Sequence, residues 1–159
     1  MTQAMAPWST VDVILHATHV WAWGLYAGSL VYIYFRLFPD MRRWLPDEER
    51  FEAFSLATGH GLRWWIYGAL GLSAASGALL LARAGAHGTA FTALMGLKIA
   101  LFVVAVAVYT WVSYVMWPAR VFVASADRAA EQRRFFRVAL GLLALLVAQA
   151  LAGAAAHVR

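Results

Sequence analysis

Four long apolar runs separated by short polar segments set the pattern of this chain. A helix needs about 20 apolar residues to cross the hydrocarbon core of a bilayer. The first run covers roughly residues 11–38 and ends before Pro39 and Asp40. The second covers roughly 55–82, the third 91–117, stopped by Pro118, and the fourth 138–158. Trp8, Trp44, Trp64, Trp65 and Trp117 fall near the run ends, where interfacial indoles belong. The pattern predicts an all-α protein, an integral membrane four-helix bundle forming one domain over residues 1–159, with no repeat of 20–50 residues.

Polar residues inside the runs follow the helical period. At 3.6 residues per turn, His16, His19, Trp23, Tyr26 and Tyr34 share a stripe of the first span. His60, Trp64, Tyr67 and Gly71 do so on the second, with Arg63 alongside, and Lys98 and Tyr109 on the third. Gln149, Gly153 and His157 line one flank of the fourth. One polar stripe per helix is what a bundle enclosing something polar requires. Ionisable groups in a membrane span are costly and usually face the interior, so each invites a functional reading.

Composition supports the lipid solvent. Of 159 residues, 63% are hydrophobic and 13% charged, more apolar surface than a soluble domain of this size can hide. There is no cysteine, which excludes disulfides, thiolate metal sites and Cys-ligated iron–sulfur clusters. The net charge of +5 does not argue for nucleic acid, because the basic residues lie mostly between spans. Of thirteen Lys and Arg, ten fall on one side: Arg36, Arg42, Arg43, Arg50, Arg63, Arg120, Arg128, Arg133, Arg134 and Arg137. By the positive-inside rule that side is cytoplasmic, and both termini and the His87 loop face the periplasmic side of the inner membrane. Residues 1–10 hold no Lys or Arg, so no cleavable signal peptide is expected.

The inner segments read as helix starts. Pro46 to Glu49 puts acids in a first turn, so the second span is expected to begin near Asp47. Ser125 to Asp127 should start a helix running through Arg133–Arg137 into the fourth span. The acids and arginines there read as solvated faces and headgroup contacts.

Depth separates the polar groups. With spans one and three descending from outside and two and four rising, His16, His19, Lys98 and His157 lie in the outer half, with Met95 near. His60 and Arg63 lie at the inner boundary. From His19 to the inner end of span one is about 29 Å, so His60 belongs to a different region. A b-type haem needs axial imidazoles and cationic partners for its propionates. His16 or His19 with His157 would supply the imidazoles and Lys98 the cation. His60 between Gly59 and Gly61 has room beside its ring, with Arg63 near. Copper is the alternative: His16, His19 and His157 with Met95, and His87 in the outer loop, offer imidazole and thioether ligands. Histidines at i and i+3 share a helix face. As ordinary roles, single histidines at span ends bond carbonyls, Lys98 snorkels to headgroups, and the glycines are close-packing contacts.

Leu15–His16 followed by Trp23 resembles the first helix of the copper-resistance D (CopD) and HemJ-like membrane proteins. Gly96–Leu97–Lys98–Ile99–Ala100–Leu101 is similar to their Lys-bearing third helix, and Arg134–Phe135–Phe136–Arg137–Val138 to the start of the last helix in the HemJ type. The resemblance covers most of the chain. It implies His16 as the family histidine, with Trp23 and Lys98 as companions. It further implies either haem-linked protoporphyrinogen oxidation or copper uptake across the inner membrane. The chain departs from that pattern where the HemJ type has a further His, here Tyr109, and an Asn-Glu-Val-Pro run, here Ala139–Leu142. His19, His60 and His157 lie outside the resemblance. The reading that results is a small membrane protein binding haem b for electron transfer, with a larger membrane redox complex or a homo-oligomer as the assembly it would join. Copper handling and a cofactor-free accessory subunit stand as alternatives. No nucleophile–base pair or nucleotide loop is present to carry side-chain catalysis.

Overall fold

The computed structural model describes residues 9–84 and 88–157, excepting the side chains of Ser125 and His157. Helix α1 (Thr10–Tyr32) starts from a capping box in which Ser9 and Asp12 satisfy each other's backbone N–H groups. A π-helical turn, Ile33–Leu37, joins it to α2 (Phe38–Trp44), so residues 10–44 form one rod. Helix α3 (Glu48–Arg83) starts at Asp47, whose carboxylate accepts the N–H groups of Glu49 and Arg50. Its 36 residues reach about 54 Å, well beyond a hydrocarbon core of about 30 Å. The third rod comprises α4 (Thr89–Trp111), a second π-turn (Val112–Met116), α5 (Trp117–Ala119) and a 3₁₀ turn (Arg120–Phe122). A further 3₁₀ turn, Ser125–Asp127, leads into α6 (Arg128–His157). No strand occurs among the described residues.

The prolines do not end their helices, contrary to the sequence expectation. Proline lacks an N–H and its ring crowds the carbonyl of residue i−4, which breaks a regular helix. Here each is preceded by a π-turn that widens the spiral by one residue. Phe38 N–H bonds to the Ile33 carbonyl and Trp117 N–H to the Val112 carbonyl, both five residues back. The helix therefore absorbs Pro39 and Pro118 in the same aromatic–Pro register. This parallel between the first and third rods is invisible to a search for short repeats.

Helix α1 packs along α3 and α4 along α6, with α1 also meeting α6. The shared core contains Tyr26, Ile66, Tyr109, Leu142 and Leu146. Tyr109 is at its centre, edge-on to Tyr26 at 5.9 Å and to Tyr67 at 5.3 Å. The outer surface of the bundle is apolar, with Val13, Ile14, Val103 and Leu151 exposed, as lipid contact requires. Three helices are long and apolar enough to cross a membrane: Glu48–Arg83, Thr89–Phe122 and Arg128–Ala156. The first rod is as long, but its histidines, indoles and phenols dilute its apolar character.

Ion pairs tie the ends. On the side of the α1 start, Arg83 Nε lies 2.6 Å from Asp12 Oδ1, and its NH2 donates to Ser9 Oγ at 3.2 Å. At the opposite end Arg120 and Glu52 are both buried. The Arg120 Nε lies 2.5 Å from Glu52 Oε1, and NH2 donates to Oε2 at 2.8 Å. Trp117 and Phe135 cover the guanidinium, their centroids at 5.3 and 5.4 Å. These two charges were expected on solvated faces and instead link the second and third rods.

Removing one partner of a buried pair strands the other charge. Arg120→Met should therefore cost about 3–5 kcal/mol, and adding Glu52→Leu should restore most of it. Unfolding titrations in mixed micelles measure both. A double variant as weak as the single would refute the coupling.

Candidate functional site

The half of the bundle nearer the start of α1 gathers polar groups from all four rods. On α1, His16 Nδ1 lies 3.0 Å from the Asp12 carbonyl. His19 Nδ1 lies 2.9 Å from the Ser73 carbonyl and 3.1 Å from Ser76 Oγ, both on α3. A carbonyl only accepts, so the neutral His19 ring carries its proton on Nδ1 and its lone pair on Nε2. Ser76 donates its own proton to the Leu72 carbonyl at 2.7 Å, leaving its oxygen to accept from His19. Holding one ring nitrogen on a carbonyl is how proteins orient an imidazole whose other nitrogen is a ligand. Gly77 permits the approach: a Cβ there would meet His19 Cε1 at 3.0 Å.

Lys98 comes in from α4. It is half-buried, and its Nζ rests 3.2 Å from where a Cβ of Gly153 would stand, so the absent side chain on α6 makes its berth. Lys98 and His16 are the charged and titratable neighbours that His19 feels electrostatically. No carboxylate pairs with Lys98 among the described residues; Asp12, the nearby acid on α1, is held by Arg83. One turn inward from His19 and from Gly153, respectively, Trp23 Nε1 and Gln149 Nε2 are buried without a hydrogen-bond acceptor. The interior here thus presents buried N–H donors without acceptors, beside the His19 imidazole.

The remaining candidates fall elsewhere. Met95 is half-buried on α4. His87 and the side chain of His157 lie outside the described residues. His60 is exposed on the outer surface of α3, as are Trp64 and Gly71, so the interior face of α3 is not the stripe expected. That face instead carries Ser55, Ile66, Leu70, Ser73 and Ser76. The space at Gly59 is not for the neighbouring imidazole: the indole of Trp117 fills the place where a Cβ would be. Trp117 is accordingly an interior ring rather than an interfacial one. Among the described residues no three His, Asp or Glu side chains gather closely enough to hold a metal ion.

Arg63 has a structural partner that the sequence does not show. In the second π-turn, Trp117 N–H bonds to the Val112 carbonyl. The next carbonyl, Ser113, then faces Pro118, which has no N–H to give. Arg63 NH2 donates to that carbonyl at 2.7 Å, and its guanidinium stacks over Tyr114 at 4.9 Å. The arginine thus completes a backbone that proline leaves unsatisfied, inside a bundle where water cannot do so. A cavity of about 60 Å³ lies beside it, lined by Tyr109, Ser113 and Trp117 among others.

The serines are what sequence reasoning missed. Ser73, Ser76 and Gly77 sit at helical spacing opposite His19 and are small and unremarkable in isolation. The fold defines an all-helical bundle with a largely apolar core, a few buried polar groups and apolar outer walls. Comparison with protein-family models, curated proteins and solved structures finds no match to the chain.

Arg63→Met should leave the Ser113 carbonyl unpaired and cost about 1–3 kcal/mol. The same variant should not alter ligand binding at the His19 end. Thermal unfolding in detergent reads the first effect, and unchanged stability would show that the carbonyl has another donor.

Proposed function

We propose that the chain is a four-span inner-membrane protein that binds b-type haem in its outer half and passes electrons through it. The observation that carries this reading is the Lys98 ammonium, without a carboxylate partner among the described residues, set beside an imidazole whose ring is fixed by the Ser73 carbonyl. The donor set fits the group. His19 offers its Nε2 lone pair, with His16 one turn away on α1 and His157 on the last turn of α6 at the same end. Lys98, Gln149 and Trp23 offer N–H groups suited to propionate oxygens. The fit rests on these donors rather than on a ready cavity, since the two cavities described lie towards the other end. A haem bound there would supply one-electron chemistry. The chain's own residues hold, orient and shield. Ser73 and Ser76 fix His19, Gly153 leaves room for Lys98, and the apolar walls exclude water.

The same groups serve copper less well. A cupric or cuprous ion at His19 would lie beside an uncompensated ammonium, and like charges in a medium of low dielectric repel strongly. The first rod is read as a fourth span because His19 meets the interior of α3 along its length. The arginine excess supports an orientation with both termini and the loop near Gly88 on the periplasmic side.

Visible spectra of the detergent-purified protein, oxidised and dithionite-reduced, test the haem reading alongside metal analysis. A Soret band with sharp reduced α and β bands is expected. His19→Ala should lower haem occupancy by at least about tenfold, as loss of an axial imidazole implies, with His60→Ala unchanged. Copper without a Soret band would favour the transport reading, and neither would favour a cofactor-free subunit.

Topology is tested in whole cells. The chain has no cysteine, so Gly88→Cys and Asp127→Cys each introduce a single thiol. An impermeant maleimide should label the first and not the second. The reverse would invert the orientation.

A further inference from the structure

The end of the bundle opposite the histidines holds a second built feature. A cavity of about 200 Å³ opens there between α2, α3 and α6, and Arg42, Gln132, Phe51 and Phe135 are among its lining residues. Arg42 NH1 donates to Gln132 Oε1, and its NH2 donates to Glu48 Oε2 at 2.9 Å. A guanidinium has no acceptor to offer, so the Gln132 amide must turn its oxygen to Arg42 and its nitrogen away. That nitrogen is buried in the cavity wall and has no acceptor among the described residues. Arg42 stacks on Phe51 at 5.0 Å, which holds the guanidinium at the cavity and leaves N–H groups beyond the two it has used.

The opening, the chemistry and the surroundings agree on one kind of occupant. Its walls are aromatic, its polar groups are donors, and Arg36, Arg43, Arg133 and Arg137 stand exposed around that end. Glu52 is committed to Arg120 and Glu48 to Arg42, so neither carboxylate is left to meet the Gln132 amide. We infer that this cavity seats the phosphate headgroup of an anionic phospholipid from the adjoining leaflet. Arg42 and the Gln132 amide donate to the phosphate oxygens, and the acyl chains leave along the apolar flank of the bundle. Basic pockets between membrane helices bind such headgroups by this combination of charge and donors. The inference rests on the membrane reading and is independent of haem.

Native mass spectrometry of the full chain, released from detergent with added lipid, tests it. Phosphatidylglycerol should be retained roughly tenfold better than phosphatidylcholine, whose choline cation would stand against the arginines exposed around that end. Both lipids carry the phosphate, so Gln132→Leu and Arg42→Gln should each lower phosphatidylglycerol retention roughly tenfold, the loss of one charge-assisted hydrogen bond, whereas Arg43→Gln, on the exposed surface, should keep it. Helicity by circular dichroism serves as the control that each variant is folded. Equal retention of both lipids by the native chain would overturn the proposal. So would undiminished retention of phosphatidylglycerol by folded Gln132→Leu. Competition by inorganic phosphate as effective as by the lipid would reassign the site to free phosphate and overturn the lipid as its occupant.

Discussion

The cost of leaving a polar group without a partner in hydrocarbon governs this structure. Water would excuse an unbonded carbonyl or a lone charge, and lipid does not. The Ser113 carbonyl, orphaned by Pro118, is met by Arg63. Glu52 is met by Arg120 in a pair sealed under two aromatic rings. Asp12 is met by Arg83. Each arrangement draws two different helices together, so satisfying the local demand also fixes how the rods register against one another. The bundle core is otherwise apolar and carries little information about register.

Against that background the half of the bundle around His19 differs in its charge. Its His19 ring is oriented, yet Lys98, Gln149 and Trp23 bring donors that the described residues do not match with acceptors. At the other end the buried Arg120 is paired with Glu52. The contrast gives the haem proposal its force, because an anionic ligand supplies what the protein lacks at that level.

Much of the fold was legible in the sequence because it follows from one-dimensional signals. The apolar runs gave the long helices, Asp47 gave the start of α3, and Ser125–Asp127 led into α6 as expected. What stayed hidden depends on partners far along the chain. Pro39 and Pro118 read as stops because a π-turn leaves no residue pattern of its own. The face of α3 was misjudged by about one residue, since His60, Trp64 and Gly71 are as regularly spaced as Ser55, Ile66 and Ser73. Only contact with α1 and Trp117 shows which set is inside. Glu52 looks like any helix-start acid until Arg120 is placed beside it. At the candidate site His16, His19 and Lys98 were foreseeable as ionisable groups in apolar runs, while the serine carbonyl that aims His19 was not.

The pairing of α1 with α3 also bears on how the chain reaches its membrane. A translocating machine accepts segments by their apolar content, and the first rod is the one that falls short of the other three. What it lacks is supplied by α3, through a carbonyl for His19 and a guanidinium for Asp12. On the four-span reading the first rod is thus a dependent segment. Its polar side chains would find their partners only once α3 stands beside it, which would couple the insertion of the two segments.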